Sequence, residues 1–143
     1  MPTRKASAVW EGSLKGGKGN FRGEGGGIGG AYSFSSRFEE GIGSNPEELL
    51  AAAEAACFSM ALSGALEKNG TTPTRVESDA HCTVEKVGDG FKITTMKLTT
   101  RATVPGLDDA TFQRIANAAK DGCPVSSALK GNVDIQLDAK LNA

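Results

Sequence analysis

NPEELLAAAEAACFSMALSGALEKNG, residues 45–70, is the stretch that decides the fold. Asn45 predicts a helix N-cap, Pro46 the first helical position, and the acid at the third position a capping box. Gly70 is a residue typical of the position just beyond a helix end. The stretch therefore predicts one helix of about 24 residues, roughly 36 Å long.

This helix is apolar on nearly all sides after its first turn. Its polar positions are Glu54, Ser59, Ser63, Glu67 and Lys68. A helix of this kind is typically buried, which predicts close packing against another helix. Cys57 lies in its middle, and Glu54, one turn earlier, is interpreted as a solvated or capping charge.

The other segments predict an α+β domain with an antiparallel sheet, and the whole chain, residues 1–143, is expected to be a single domain. The glycine-rich first third predicts short strands around Ala6–Gly12, Gly19–Gly23 and Ala31–Phe38. After the long helix, the pattern predicts strands over 76–85 and 91–104, a helix from Asp108 or Asp109 to about Lys120, a short helix from Pro124, and a strand from Val133 to Leu141. A phase slip between Ile93 and Met96 predicts a β-bulge.

Composition excludes several classes of protein. The 143 residues carry a formal net charge of −1 and contain no basic run, so no nucleic-acid partner is expected. The N-terminal residues have no apolar stretch typical of a signal peptide, and no window approaches 18 apolar residues. We therefore expect a cytoplasmic protein with no membrane association. With 38% apolar residues the core is lean, which favours further burial across a subunit interface.

No metal or cofactor is expected. The chain has three cysteines and one histidine, and it lacks a CxxC motif, so a structural zinc site is not indicated. Gly25, Gly27 and Gly30 have the spacing of a dinucleotide-binding fingerprint. That motif must open a helix, whereas Ala31–Phe38 predicts a strand, and we reject it.

The three cysteines differ in context. Cys57 lies too far into its helix for the helix dipole to activate it, so a reactive thiolate there needs a cation from elsewhere. Cys123 lies at the predicted N-cap before Pro124, where free backbone N–H groups favour a thiolate. Cys82 belongs to no motif and alternates in phase with Val76, Ala80 and Val84, which indicates core packing.

Three segments closely resemble signatures of the OsmC family, the osmotically inducible protein C and organic hydroperoxide resistance superfamily. They are SNPEELL at 44–50, AACFSM at 55–60 and GCPVS at 122–126, with the two cysteines 66 residues apart. The resemblance covers essentially the whole chain. It implies a thiol-dependent peroxidase built as an intertwined homodimer, with antiparallel sheets wrapped around central helices and active sites shared between the subunits.

The resemblance also implies the site residues. Cys57 matches the peroxidatic cysteine and Cys123 the resolving cysteine. Glu47, ten residues before Cys57, matches the glutamate of an Arg–Glu pair. The arginine of the OsmC branch lies in an Arg-Phe-Glu segment, which corresponds here to Arg37, and Arg22 is the alternative for this role.

Helix geometry adds a constraint to the implied site. Ten residues of straight helix place Glu47 about 15 Å from Cys57 and turn it roughly 80° away. Either the helix breaks between them, or Arg37 and Glu47 act on the thiol of a partner subunit. We favour the partner subunit.

The expected reaction reduces a hydroperoxide, organic in preference to hydrogen peroxide, to an alcohol. A Cys57 sulfenic acid forms, Cys123 converts it to a disulfide, and an external dithiol, of the lipoyl type or thioredoxin, reduces the pair. Two alternatives stay open. The chain is a redox-sensing or stress-response binding module with little turnover, or a structural dimer with inert thiols.

Overall fold

The structure is a computed structural model that describes residues 1–142. Contacts divide it into two compact units, residues 1–49 and the residues from 50 onward. The α+β class predicted from the sequence is confirmed, since both units combine an antiparallel pair of strands with helical segments.

The first unit contains a three-stranded antiparallel sheet in the order β1-β2-β3. Its strands are β1 (Ala6–Glu11), β2 (Lys18–Gly23) and β3 (Gly29–Tyr32). The short helix α1 (Phe34–Phe38) follows, so the strand predicted over Ala31–Phe38 is wrong beyond Tyr32. The reason is a capping box: Ser36 N donates to Ser33 Oγ over 3.0 Å, and Ser33 N donates to Ser36 Oγ over 2.8 Å.

Helix α2 (Pro46–Lys68) is the predicted long helix, and it is continuous. Glu48 N donates to the Asn45 side chain over 2.8 Å, as an N-cap requires. The carboxylate of Glu48 accepts a bond from Ser44 Oγ instead of closing the predicted box. Gly70 has φ +84° and lies just beyond the helix end.

Burial of α2 differs from the expectation. Beyond the buried Glu47 in its first turn, its buried side chains form one stripe, spaced every four residues: Glu54, Phe58, Leu62 and Leu66. Met60 is 78% exposed, so the predicted burial of α2 is incomplete within a single chain. By length and composition α2 is also apolar enough to cross a membrane, contrary to the expectation for this sequence, although core helices of soluble proteins pass the same test.

The second unit contains a three-stranded sheet in the order β4-β5-β6. Its elements are β4 (Arg75–Val87), β5 (Gly90–Thr103), α3 (Asp109–Gly122), α4 (Pro124–Leu129) and β6 (Asp134–Asn142). The predicted bulge is confirmed, because Thr83 pairs with Thr95 whereas Val84 pairs with Ile93. The predicted antiparallel pairing is confirmed for β4 and β5 but is wrong for β6, which runs parallel to β5, since α3 and α4 form a crossover connection between them.

The core of the second unit positions the thiols. Side chains of α2, β5 and α3 form one apolar cluster, among them Phe58, Leu98 and Phe112. Cys123 is fully buried in this cluster, and Cys57 packs against it from α2. Cys57 therefore lies within a helix, and Cys123 lies at the junction between α3 and α4.

Candidate active site

Arg37 and Glu47 form an ion pair within the first unit. Arg37 Nε donates to both carboxylate oxygens of Glu47 over 3.1 and 3.2 Å, and Nη2 donates to Oε1 over 2.8 Å. The Glu47 side chain is 7% exposed and that of Arg37 is 36% exposed. The carboxylate is therefore compensated by a charged donor, and the guanidinium stays accessible to solvent or a ligand.

Arg37 also borders an apolar cavity of about 230 Å³. The other lining residues are Trp10, Leu14, Tyr32, Ser33, Phe34 and Phe38. The Arg37 guanidinium carbon lies 5.0 Å from the Phe38 ring centre, within the range of a cation–π contact. Arg22, the alternative cation, lies on β2 and lines a different, polar cavity with Lys5 and Glu24.

In the second unit the structure brings the two predicted active cysteines together. Cys57 in α2 and Cys123 at the start of α4 share a side-chain hydrogen bond, and both are free thiols. Cys82, which forms no disulfide, lies on β4 on the half-buried face that it shares with Val76, Ala80 and Val84, as the alternation predicts.

The environment of Cys57 disfavours its thiolate. Burial raises the pKa of Cys57, the hydrogen bond and charge interaction with Cys123 raise it further, and the carboxyl of Glu54 adds to the effect. Only the backbone amide of Val125, in the first turn of α4, lowers this pKa. No cation of residues 50–142 is among the groups that act on this pKa.

Cys123 is the N-cap of α4, as predicted, with Pro124 at the first helical position. Its side chain makes no capping hydrogen bond. The Val125 amide of that first turn interacts with Cys57 instead. The two thiols thus share one helix start.

Glu54 lies in a different environment from the one that the sequence predicted. It is fully buried, and its Oε1 accepts a hydrogen bond from Ser126 Oγ. The interpretation as a solvated or capping charge is therefore wrong. Its spacing three residues before Cys57 was a usable signal, because residues three apart on a helix share a face.

The arrangement supports thiol redox chemistry. Within residues 1–142 no group of three or more His, Cys, Asp or Glu side chains is placed to hold a metal ion. Two free thiols in contact, each a candidate for attack on the other after oxidation, are what disulfide chemistry needs.

Sequence comparison with known proteins agrees with this chemistry. The model of the OsmC-like protein family matches residues 39–138. The chain is 46% identical to peroxiredoxin OsmC of Escherichia coli (strain K12) over 138 residues, 96% of each chain. It is 37% identical to the organic hydroperoxide resistance protein OhrB of Bacillus subtilis (strain 168) over 108 residues, 74% of this chain and 76% of that protein.

Structural comparison gives the same fold. The crystal structure of Bacillus subtilis OhrB superposes with a TM-score of 0.71 at 27% identity, covering 95% of this chain and 98% of the other. An organic hydroperoxide resistance protein from Elizabethkingia anophelis, crystallised with thiocyanate, superposes with a TM-score of 0.76 at 23% identity, covering 99% and 98%.

Proposed function

The chain belongs to the OsmC-like protein family, and from that premise we propose that it is a thiol-dependent peroxidase that reduces organic hydroperoxides to alcohols. The observation that carries the proposal is the contact between two free thiols, Cys57 and Cys123, at one helix start. The relatives named for peroxiredoxin activity and hydroperoxide resistance support it.

In the first step, the Cys57 thiolate attacks the distal oxygen of the hydroperoxide. The O–O bond breaks, the sulfur is oxidised to a sulfenic acid, and the alkoxide leaves and takes up a proton. Arg37 is the proposed cation: its forked donors favour the thiolate and stabilise the charge that develops on the alkoxide. Glu47 holds the guanidinium in place through the observed hydrogen bonds.

In the second step Cys123 attacks the sulfenic sulfur of Cys57, forming a disulfide and releasing water. An external dithiol then reduces the disulfide by exchange and restores both thiols. The apolar cavity beside Arg37 supports an organic substrate over hydrogen peroxide, because it offers surface to an alkyl or aryl group.

The active unit is proposed to be a homodimer in which Arg37 and Glu47 serve the partner's thiols. Continuity of α2 supports this, since a helix break between Glu47 and Cys57 is not observed. Exposed Met60 on α2 supports it as well, because such apolar surface is typical of an interface. Residues 1–143 acting as one domain, in the cytoplasm, stay predictions.

Steady-state turnover with cumene hydroperoxide and a dithiol tests the activity. We expect Cys57→Ser to lose turnover, Cys123→Ser to form one sulfenic acid per chain without turning over with a dithiol, and Cys82→Ser, the matched control, to keep full activity. Full activity in Cys57→Ser would reject the proposal. A single stoichiometric burst with every reductant would favour redox sensing instead.

Mixed dimers test the sharing of the site. Cys57→Ser and Arg37→Met chains are each expected to be inactive, but their co-expressed heterodimer contains one intact Cys57 opposite one intact Arg37. If the site is shared, activity returns at one site per heterodimer. If it is formed within one chain, the heterodimer stays inactive.

A further inference from the structure

Glu54 is a buried carboxyl group that the reaction described above does not use. It is fully buried, and Ser126, which donates to its Oε1, is 3% exposed. Its other oxygen, Oε2, is buried and has no hydrogen-bond partner. Among the ion pairs of residues 1–142, none includes Glu54.

A buried carboxyl group with an unpaired oxygen destabilises the folded state. Burial of a polar oxygen without a hydrogen bond costs free energy, and buried acids in proteins are normally paired. Stability alone does not account for the choice of a glutamate here, since an apolar side chain would pack at this position without an unsatisfied oxygen. The position therefore calls for a functional reason.

Glu54 contacts the same segment that Cys57 contacts, the start of α4. Glu54 lies three residues before Cys57 on α2, and Ser126 lies three residues after Cys123 at the start of α4. Residues with this spacing on a helix are neighbours on one face. The Glu54–Ser126 hydrogen bond and the Cys57–Cys123 contact thus join the same two segments, side by side.

The same carboxyl group is unfavourable for the first chemical step. Burial and Cys123 are the larger causes that raise the pKa of Cys57, and Glu54 raises it further. A residue that opposes the thiolate of Cys57, and yet ties down the segment that carries Cys123, is suited to the second step rather than the first.

We propose that Glu54 is a positioning residue for disulfide formation: its hydrogen bond with Ser126 holds the start of α4, and with it Cys123, against Cys57. In this step the S–O bond of the Cys57 sulfenic acid breaks and an S–S bond forms. The sulfenic sulfur is reduced, the Cys123 sulfur is oxidised, and the thiol proton leaves with the hydroxide as water. The inference rests on the proposed peroxidase function.

The test separates the two steps in a single turnover with one equivalent of cumene hydroperoxide. A sulfenic-acid trap read by mass spectrometry reports the first step, and loss of free thiols reports the second. We expect Ser126→Ala to slow disulfide formation by about tenfold, the usual scale for a lost hydrogen bond to a charged group, and to leave the first step unchanged. Ser126→Thr, which keeps the hydroxyl, restores the rate.

Glu54→Gln gives an independent readout. The amide carbonyl still accepts from Ser126 but without charge, so disulfide formation slows by a smaller factor than in Ser126→Ala. Sulfenic acid formation becomes faster at neutral pH, because a negative charge near Cys57 is gone. A purely structural role would slow both steps together. Ser127→Ala, on the exposed side of α4, is the matched control and keeps both rates.

Three results are decisive. Wild-type disulfide rates in both Ser126→Ala and Glu54→Gln would overturn the inference, and so would an equal loss in both steps. If the wild-type chain forms no sulfenic acid at Cys57, the proposed function itself fails, which is a different result. Should Ser126→Ala fail to fold, Glu54→Gln alone still decides, through the opposite changes expected in its two steps.

Discussion

Helix α2 carries two buried glutamates with opposite surroundings. Glu47 accepts three hydrogen bonds from the Arg37 guanidinium, whereas Glu54 accepts one from a serine hydroxyl and leaves an oxygen unpaired. A paired carboxylate recovers much of its lost hydration, and an unpaired one does not. The first glutamate therefore serves to hold a cation, and the second is kept despite its cost.

The same contrast holds for the two units. Residues 1–49 supply a cation with its counter-ion, beside an apolar cavity. The residues from 50 onward supply two thiols whose surroundings raise the pKa of Cys57 through burial, Cys123 and Glu54. Neither set alone contains both a thiol and the Arg37 cation, which is why the proposed function includes a site shared between subunits.

The largest effect is expected from removing the cation. Arg37→Met should lower kcat/KM for cumene hydroperoxide by about 100- to 1,000-fold, the scale for losing one donor to a developing oxyanion. Arg22→Met, a matched loss of positive charge on β2, should change it by less than about twofold. Equal losses in the two variants would show that general charge, and not Arg37, acts on Cys57.

Removing the counter-ion should cost less than removing the cation. Glu47→Gln keeps hydrogen-bond acceptance but loses the charge that holds Arg37, and we expect kcat/KM to fall by about tenfold. Glu48→Gln changes the neighbouring carboxylate, which contacts Ser44, and should leave the rate unchanged. A Glu48 effect as large as that of Glu47 would mean that the helix start, not the ion pair, matters.

The pH dependence of Cys57 alkylation measures how far the Arg37 cation offsets the groups that raise the pKa of Cys57. In Arg37→Met, burial, Cys123 and Glu54 remain, so the Cys57 pKa should lie above the ordinary thiol value of about 8.5. In the wild-type protein the Arg37 cation should lower this pKa. Iodoacetamide rates followed by peptide mass spectrometry give both values, and identical values would remove Arg37 from the site.

Much of the fold was predictable because its signals are local. The N-cap at Asn45 and the glycine at position 70 bound α2, and the alternation of apolar residues marks β4 and β6. Helix α1 was missed because five residues are too few to show a helical repeat of apolar side chains. Its only sequence signal is the capping box formed by Ser33 and Ser36. The parallel pairing of β6 was missed because it depends on a crossover, which is a tertiary feature.

The candidate site, like the fold, was predictable only in part. The resemblance to the OsmC family indicated Cys57, Cys123, Arg37 and Glu47, and the structure brings together the two members of each pair. It gave no reason to single out Glu54, because the burial of that residue depends on contacts between distant segments, with Ser126 72 residues away. The three-residue spacing places Glu54 on the face of Cys57, but acidic residues are rarely fully buried, which is why the sequence favoured a solvated charge.

The smallest effect is expected in stability, and it tests whether Glu54 is kept for function. Glu54→Met with Ser126→Ala removes both partners of the buried hydrogen bond, which is nearly neutral or stabilising when shape is kept. Urea unfolding of the reduced protein should therefore stay within about 1 kcal/mol of the wild type, whereas Glu47→Met, which leaves Arg37 without its counter-ion, should be clearly destabilising. Disulfide formation in the double variant should still be slow. A double variant that loses several kcal/mol would show that Glu54 supports the fold, and the contrast between the two glutamates would then be one of degree.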